Sequence, residues 1–325
     1  MVHLSVVIPT HNRRELLLQT LRSLERQNFA ATSFEVVVVC DGCDDGSFEM
    51  LRNLDTPLSV RPVDQPQTGR AGARNRGVRE AQADLVLFLD DDLIAEPSLI
   101  AEHLRSQAGI GRGVVIGRIL PDPNARMPAW SRLDLRVMED RYAAFDRGAL
   151  SVDGRKFYTG NVSVDRSALL HVGGFNEGYL RSEDIELGYR LQEAGVRFAY
   201  NGAARVVHLG VHQLSAWMRD MYNYGRYDVR LARDGHVTDE RLPEWWRQRH
   251  PMTRALCRVT VGRTSVREPV LHTLRAMAAA AERIGIGRLA EICYGLVANV
   301  SYWQGVADEL GGRRRLWPLL ASFPR

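Results

Sequence analysis

Three consecutive aspartates, Asp90-Asp91-Asp92, directly follow the apolar run 85–89. Three carboxylates at this spacing repel one another and raise each other's pKa unless a cation lies beside them. Mg²⁺ and Mn²⁺ prefer hard oxygen ligands and commonly bind through one or two carboxylates together with substrate phosphates. The alternative is an acidic flank that favours the N-terminus of a helix beginning at Pro97. Because the triplet ends a buried strand, the pattern favours a metal and a diphosphate.

A further carboxylate follows the β-branched run 36–39, where Asp41-Gly42 ends the second predicted strand. A carboxylate there can accept a hydrogen bond from the N–H of a pyrimidine base, and Gly42 permits close approach of the backbone. The alternative is an ordinary Asp-Gly turn. This motif supports nucleotide binding only in combination with the triplet.

Three arginines, Arg70, Arg74 and Arg76, lie near the start of a predicted helix. Guanidinium groups and the free N–H groups of a helix N-terminus both favour the anionic part of a nucleotide. A solvated basic helix face is the alternative. The segment matches neither the dinucleotide-binding nor the P-loop pattern, so it implies neither class of protein.

The pair Glu183-Asp184 precedes an amphipathic helical stretch, and His208 ends an apolar run. A carboxylate at a helix N-terminus in a crevice can act as the base that takes a proton from an acceptor hydroxyl. The alternative for the pair is helix capping with dipole complementation. A lone histidine such as His208 is more often a hydrogen-bonded core residue than a metal ligand.

Apolar runs and amphipathic stretches alternate through the first half of the chain, which predicts an α/β fold with a parallel sheet covered on both sides. Such sheets bind ligands beyond the carboxyl ends of their strands, so the motifs that follow the strands should converge. The predicted strands are 4–8, 36–39, 58–61, 85–89 and 114–119, and the predicted helices include 13–27 and 71–83. Residues 121–160 are predicted to be irregular, and the chain beyond 212 is predicted to be helical with 289–310 as its longest helix.

Taken in order, these motifs resemble the family 2 glycosyltransferases with the GT-A fold, over residues 6–208. Residues 40–47 resemble the family's aspartate-rich loop, although Cys40 and Cys43 replace an Asp and a Ser of that pattern. The remaining matches are Val6-Val7-Ile8-Pro9-Thr10-His11-Asn12-Arg13, Ala73-Arg74-Asn75-Arg76-Gly77, the triplet at the DxD position, Gly173-Gly174-Phe175, Glu183-Asp184 and His208.

The resemblance implies a doubly wound, Rossmann-like, mostly parallel sheet with helices on both faces, followed by a helical C-terminal appendage. We expect a catalytic domain over residues 1–212, with a donor half of about 1–120 and an acceptor half of about 121–212. Residues 213–325 form the expected helical region. The implied activity is metal-dependent transfer of a sugar, with inversion, from a nucleoside diphosphate sugar to an acceptor hydroxyl.

The resemblance also implies residue roles. Asp184 is the expected general base, with Glu183 beside it. The residues expected to bind the nucleotide sugar are Pro9, Thr10, Asn12, Arg13, Asp41, Gly42, Arg74, Asp90 and Asp91. Mn²⁺ or Mg²⁺ would be held by Asp92, Asp90 and His208. A UDP-sugar is the commonest donor in the family, and the expected acceptor is a glycan, a lipid-linked sugar or a small molecule in bacterial polysaccharide, glycolipid or glycoconjugate biosynthesis.

The charge of the chain is unevenly distributed. The net charge is +4, yet residues 241–325 hold 14 Arg and 6 acidic residues, a balance of +8. A basic segment of this kind, with aromatic and apolar residues, can make peripheral contact with an anionic membrane surface. The alternative is a helical cap or a dimer contact. We find no signal peptide or membrane-spanning run and expect a cytoplasmic protein with no nucleic-acid partner.

Two other functions fit parts of the pattern. A haloacid-dehalogenase-type phosphohydrolase also places Asp-x-Asp after an apolar strand, but it requires a hydroxyl residue where this chain has Ile94. A non-catalytic nucleotide-sugar-binding protein on the same fold would bind the donor without transferring the sugar. Both alternatives leave Glu183-Asp184 unexplained.

Overall fold

The computed structural model describes residues 2–210, 213–238 and 240–321. The chain forms two compact units: residues 1–125 with 140–210, called the sheet unit, and residues 126–139 with 211–325, called the helical unit. The strands are β1 (Leu4–Thr10), β2 (Phe34–Asp41), β3 (Ser59–Gln65), β4 (Leu85–Leu89), β5 (Leu93–Ala95), β6 (Val114–Pro121), β7 (Asn161–Asp165) and β8 (Phe198–His208). The helices are α1 (Arg14–Leu24), α2 (Ser47–Arg52), α3 (Gly69–Glu80), α4 (Leu99–Ile110), α5 (Ala129–Asp146), α6 (Arg166–His171), α7 (Glu183–Glu193), α8 (Leu214–Arg233), α9 (Arg241–Gln248), α10 (Pro251–Thr260), α11 (Thr264–Arg283), α12 (Gly287–Glu309) and α13 (Arg313–Ala321).

The sheet unit contains one eight-stranded sheet with the strand order β3-β2-β1-β4-β7-β6-β8-β5. The first four strands are parallel, and β6 is parallel to β8. β7 runs antiparallel to both of its neighbours, and β5 runs antiparallel to β8. The prediction of an α/β fold with a mostly parallel sheet is therefore confirmed.

Successive residues of the buried strands face opposite sides of the sheet, and each side is covered by helices. In β1, Val6 and Ile8 belong to one apolar cluster with Leu17 and Leu21 of α1, whereas Val7 belongs to the cluster on the other side, which includes residues of α3 and α7. Every residue of β2 is buried, as expected of a strand covered on both faces. These two apolar layers fix where β1, β2 and β4 end, and so fix the position of the motifs that follow them.

The prediction that residues 121–160 are irregular is wrong, because α5 occupies 18 of them. The three prolines of this stretch, Pro121, Pro123 and Pro128, all precede the helix and therefore interrupt none of its hydrogen bonds. The carbonyl of Pro128 accepts a hydrogen bond from the N–H of Arg132 at 3.1 Å, which is an ordinary distance for a helical hydrogen bond. The residues of α5 are divided between the two units.

The helical unit is built from α8 to α13 and the first part of α5. Its core contains Trp217, Trp246 and Trp303, all of which are buried, and Trp246 meets Trp303 edge to face. The predicted long helix is confirmed as α12, of 23 residues. The predicted domain boundary at 212 falls on residues 211–212, outside the described residues. None of the helices in the described ranges is long and apolar enough to cross a membrane.

Candidate active site

The triplet lies in the short turn between β4 and β5, beside the carboxyl end of β1. Asp91 is buried, and its carboxylate accepts hydrogen bonds from the Thr10 hydroxyl at 2.7 Å and from Arg13 Nη1 at 3.2 Å. Its carbonyl oxygen also accepts the hydroxyl of Thr20 in α1. Asp91 therefore fastens the turn to the loop after β1.

Asp92 is brought to His208 by strand pairing. β5 runs antiparallel to β8 with Leu93 opposite His208, so the residue before Leu93 lies next to the imidazole. Asp92 Oδ2 is 3.4 Å from His208 Nε2 and 2.6 Å from Arg13 Nη1. The structure thus brings together four predicted site residues: Arg13, Asp91, Asp92 and His208.

The pKa values of Asp91 and Asp92 shift in opposite directions, because burial dominates at Asp91 and neighbouring positive groups dominate at Asp92. Burial raises the pKa of Asp91 to about 6, despite its hydrogen bond from Thr10 and the charge of Arg13. Burial alone would also raise the pKa of Asp92, but the hydrogen bonds and charges of His208 and Arg13 together lower it. Burial would lower the pKa of His208, yet its contact with Asp92 raises it. Asp92 is therefore the more strongly ionised carboxylate.

Asp90 forms an ion pair with Arg74 of α3, and not with Arg13. Arg74, a buried residue of α3, donates from Nη2 to Asp90 Oδ1 at 3.0 Å and from Nη1 to Glu183 Oε1 at 2.8 Å. A single guanidinium therefore joins the triplet to the Glu183-Asp184 pair. The Arg74 guanidinium also lies 5.8 Å from the centre of the Phe175 ring.

Glu183 and Asp184 begin α7, but neither carboxylate occupies the N-cap position. That position belongs to Ser182, which makes no side-chain capping bond. Asp184 keeps some exposed surface and accepts the N–H of Ile185 at 2.8 Å. Its surroundings raise its pKa to about 7, first through burial and then through the charge of Glu183, with Arg74 opposing both.

Asp41 ends β2 and is buried. Its carboxylate accepts four hydrogen bonds, from the Gln65 side chain, from the N–H and hydroxyl of Thr68, and from the N–H of Gly69. Asp41 thus positions the start of α3, which carries Arg74. A nucleotide base that donated a hydrogen bond to Asp41 would therefore share its carboxylate with Gln65, Thr68 and Gly69.

The loops after β1 and β2 are joined to each other. Asn12 has a left-handed backbone (φ 54°), and its side-chain oxygen accepts the N–H of Asp44. Gly42 also has a positive φ of 69°, and a Cβ there would lie 2.8 Å from Gln67 Cβ. Pro9 lies within β1, opposite Val39 of β2. The predicted nucleotide-contacting residues therefore lie on adjoining strand ends.

Asn75 is a positioning residue that the sequence reading missed. Its side-chain amide accepts the N–H of Phe175 at 2.7 Å and donates to the carbonyl of Phe175 at 2.9 Å and to Glu177 at 3.0 Å. It therefore fixes the Gly173-Gly174-Phe175 loop to α3. An asparagine in the middle of a helix, where it has poor propensity, was the available signal.

The oxygen and nitrogen donors of Asp90, Asp92 and His208 suit Mn²⁺ or Mg²⁺. In the described parts of the chain, however, no three His, Cys, Asp or Glu side chains form a cluster that could hold a metal ion. Positive charge beside Asp92 comes from Arg13. An ion that bound Asp92 would have to compete with that guanidinium.

The sequence profile described as Glycosyl transferase family 2 matches residues 5–179, more than half of the chain. The chain belongs to glycosyl transferase family 2. It is 36% identical over 219 residues to a validoxylamine A glucosyltransferase of Streptomyces hygroscopicus subsp. jinggangensis, a match that covers 59% of this chain and 52% of the relative. The chain therefore matches about half the length of this curated relative.

Two solved structures share the fold. The mannosyltransferase PcManGT from Pyrobaculum calidifontis, in complex with GDP-Man and Mn²⁺, has a TM-score of 0.63 at 19% identity, over 93% of this chain and 86% of that one. S. aureus TarS 1-349 in complex with UDP has a TM-score of 0.57 at 16% identity, over 96% and 92%. The predicted family and the predicted GT-A fold are both confirmed.

Proposed function

We propose that this family 2 protein transfers a sugar from a nucleoside diphosphate sugar to an acceptor hydroxyl by a single displacement with inversion. The observation that carries the proposal is the buried Arg74, which binds Asp90 of the triplet and Glu183 beside Asp184. Arg74 therefore links the triplet, which is expected to bind the donor, to the Glu183-Asp184 pair, which is expected to act on the acceptor.

Asp184 is the proposed general base. Its carboxylate takes the proton of the acceptor hydroxyl as that oxygen bonds to the anomeric carbon, and the bond from that carbon to the diphosphate oxygen breaks with its electron pair. A base is most effective when its pKa lies near the working pH. The raised pKa of Asp184, about 7, meets that condition.

The leaving diphosphate requires positive charge. Arg13 and Arg74 lie on either side of the triplet and can supply charge-assisted hydrogen bonds to phosphate oxygens. We further propose that Asp92, Asp90 and His208 would hold Mn²⁺ or Mg²⁺, with the ion taking the place of Arg13 beside Asp92. When bound, such an ion would neutralise the charge that develops on the diphosphate.

The nucleoside is proposed to lie against the joined loops after β1 and β2. Pro9, Thr10 and Asn12 line one side, and Asp41 and Gly42 line the other. A UDP-sugar is the proposed donor, since a pyrimidine N–H can share the Asp41 carboxylate, and TarS, which has the same fold, was solved with UDP. GDP-sugars belong in the same screen because PcManGT was solved with GDP-Man.

The proposed acceptor is a glycan, a lipid-linked sugar or a small molecule with a free hydroxyl, used in bacterial polysaccharide, glycolipid or glycoconjugate synthesis. The similarity to a validoxylamine A glucosyltransferase supports keeping small-molecule acceptors in the panel. The proposed acceptor half is the later part of the sheet unit, because it carries Glu183-Asp184.

The test compares the wild-type protein with the Asp184→Asn variant on a panel of nucleotide sugars with Mn²⁺ present. Donor binding is measured by calorimetry, and turnover is measured by release of the nucleoside diphosphate with an acceptor panel. We expect both proteins to bind the same donor, while the variant turns over roughly 10²–10⁴-fold more slowly, the usual contribution of a general base. Near wild-type transfer by Asp184→Asn would remove Asp184 from this role, and donor binding without any transfer would favour a non-catalytic binding protein.

A further inference from the structure

Three helices of the helical unit line an open cavity of about 470 Å³. Each helix contributes residues at spacings of one, three or four positions, so they share one side of the helix. Helix α8 contributes Ser215, Met218, Arg219 and Tyr222; α11 contributes Arg267, Glu268, Leu271 and Arg275; and α12 contributes Ser301, Gln304 and Asp308. Several of these residues belong to the basic segment 241–325, and the sequence predicted no site role for any of them.

The two acidic residues of the cavity are already paired with protein groups. Asp308 accepts the Tyr222 hydroxyl at 2.9 Å and the Gln304 amide at 2.8 Å, one on each carboxylate oxygen. Glu268 accepts from the guanidinium of Arg267 at 3.1 Å. Each carboxylate of the lining therefore already has a protein partner, and both oxygens of Asp308 are occupied.

Two of the three arginines lack an acidic partner. Across residues 2–210, 213–238 and 240–321, no carboxylate lies within ion-pair distance of Arg219 or Arg275. Arg275 donates from Nε to the carbonyl of Leu271 at 3.2 Å, which orients its guanidinium and leaves the terminal nitrogens without a carboxylate. The two arginines belong to different helices, α8 and α11, and both line the same cavity.

We propose that this cavity binds a small phosphorylated molecule, with its phosphate held between Arg219 and Arg275. A guanidinium fork matches the geometry of phosphate oxygens, and a dianionic phosphate needs more donors than one arginine supplies. The hydroxyls of Ser215 and Ser301 are further donors in the lining.

The size of the cavity indicates a ligand larger than inorganic phosphate. A volume of about 470 Å³ falls within the range of pockets that hold small organic ligands. Met218 and Leu271 give the cavity an apolar surface that can contact the remainder of the molecule. The same chemistry fits a soluble sugar phosphate or the phosphate headgroup of a lipid, and binding measurements can separate these two sources.

The experiment measures binding to the full-length protein by calorimetry, and a loss confined to the cavity variant separates binding in this cavity from binding at the proposed donor site. The probes are inorganic phosphate, glucose 1-phosphate, and phosphatidylcholine vesicles with and without phosphatidic acid. The test variant is Arg219→Gln/Arg275→Gln. The control is Arg283→Gln, which removes one positive charge from an exposed position at the end of α11, away from the cavity lining.

We expect saturable binding of glucose 1-phosphate or of phosphatidic acid vesicles, tighter than that of inorganic phosphate. The double variant should bind at least roughly tenfold more weakly, because it loses two charged donors, and Arg283→Gln should bind like wild type. Binding of the soluble probe alone assigns a soluble ligand, and binding of the vesicles alone assigns a lipid headgroup. Equal loss in Arg283→Gln, unchanged binding in the double variant, or no saturable binding of any probe would overturn the proposal. Sugar transfer is not the readout, so failure here is separate from failure of the proposed activity.

Discussion

Asp184 is subject to opposing influences from its two closest charged neighbours. Burial and the negative charge of Glu183 raise its pKa to about 7, while the positive charge of Arg74 limits that rise. Because Glu183 also binds Arg74 directly, it weakens the larger of the two favourable charges on Asp184, those of Arg74 and Arg181. The contribution of Glu183 is therefore to tune and position its neighbours, and the proton transfer itself is assigned to Asp184.

This arrangement predicts the pH dependence of turnover. A general base works in its ionised form, so the rate should fall as the pH decreases through about 7. Glu183→Gln removes a negative charge beside Asp184 and frees Arg74 to stabilise the carboxylate, so the acidic limb of the rate profile should move to lower pH. The control is Glu193→Gln, which makes the same charge change at the far end of α7. An unmoved acidic limb in Glu183→Gln would contradict the proposed coupling.

Stability gives an independent check on the same carboxyl group. Asp184 has an ordinary pKa of 3.8 and a raised pKa of about 7 in the fold, so its contribution to folding is fully present below about 4 and is lost as the pH rises to 7. Asp184→Asn should therefore be at least as stable as wild type at pH 8, measured by urea unfolding. Poor turnover in a well-folded variant would then report lost chemistry rather than lost structure.

At the scale of elements, α3 organises the site. Its first turn is held by Asp41, its middle carries Arg74, and Asn75 binds the backbone of Phe175 in the Gly-Gly-Phe loop. That loop precedes α7 in the chain, and Glu183 at the start of α7 accepts a hydrogen bond from Nη1 of Arg74. The small residues of α3 follow from close packing: a Cβ at Gly77 would lie inside the contact distance of Val7 in β1.

The two glycines of the loop provide a matched pair of substitutions. Both have a positive φ, but a Cβ at Gly174 would lie 2.5 Å from the Asn75 side-chain oxygen, whereas a Cβ at Gly173 meets nothing within 4 Å. Gly173→Ala should lower the free energy of unfolding by about 1–2 kcal/mol from backbone strain alone. Gly174→Ala should cost more and also reduce turnover, because it displaces Asn75. Urea unfolding of both variants measures the difference, and equal losses would remove Asn75 as the cause.

At the scale of the whole molecule, the two units have separate cores. Among the residues that the structure describes, the apolar clusters of the sheet unit contain no residue of the helical unit, and the helical core contains no strand residue. All six tryptophans lie in the helical unit. The buried Trp303 and Leu316 belong to that core, which supports the packing alternative for the aromatic and basic segment. Membrane contact by that segment stays a prediction.

The distribution of tryptophans makes unfolding of the helical unit directly observable. Leu316 and Leu87 are both fully buried, the first in the helical core and the second in β4. Leu316→Ala should lower the stability reported by tryptophan fluorescence by about 2–5 kcal/mol. Leu87→Ala is the matched change in the sheet unit and should lower the stability reported by circular dichroism. A fluorescence midpoint that Leu316→Ala leaves unchanged would contradict the assignment of Leu316 to this core.

Much of the sheet unit was predictable because its signals are local. The apolar runs gave β1, β2, β4 and β6 to within two residues or so at either end, and the motifs after them lie where a parallel sheet requires. β5 and β7 were not anticipated: one is three residues long, and the other pairs only with strands distant in the chain. α5 was not predicted because prolines usually interrupt helices, whereas the three prolines here all precede its first residue.

The sequence by itself determined that acidic, basic and glycine motifs follow buried strands in the order of one enzyme family, since such runs and turns are encoded over a few residues. Only the tertiary structure decided how those motifs pair. Arg74 meets Glu183 across 109 residues of sequence, and His208 reaches Asp92 through the pairing of β5 with β8. Local residue patterns do not specify such contacts, because they depend on the order of strands in the sheet. The unequal roles of Asp90, Asp91 and Asp92 follow from those contacts, since each carboxylate has a different set of partners.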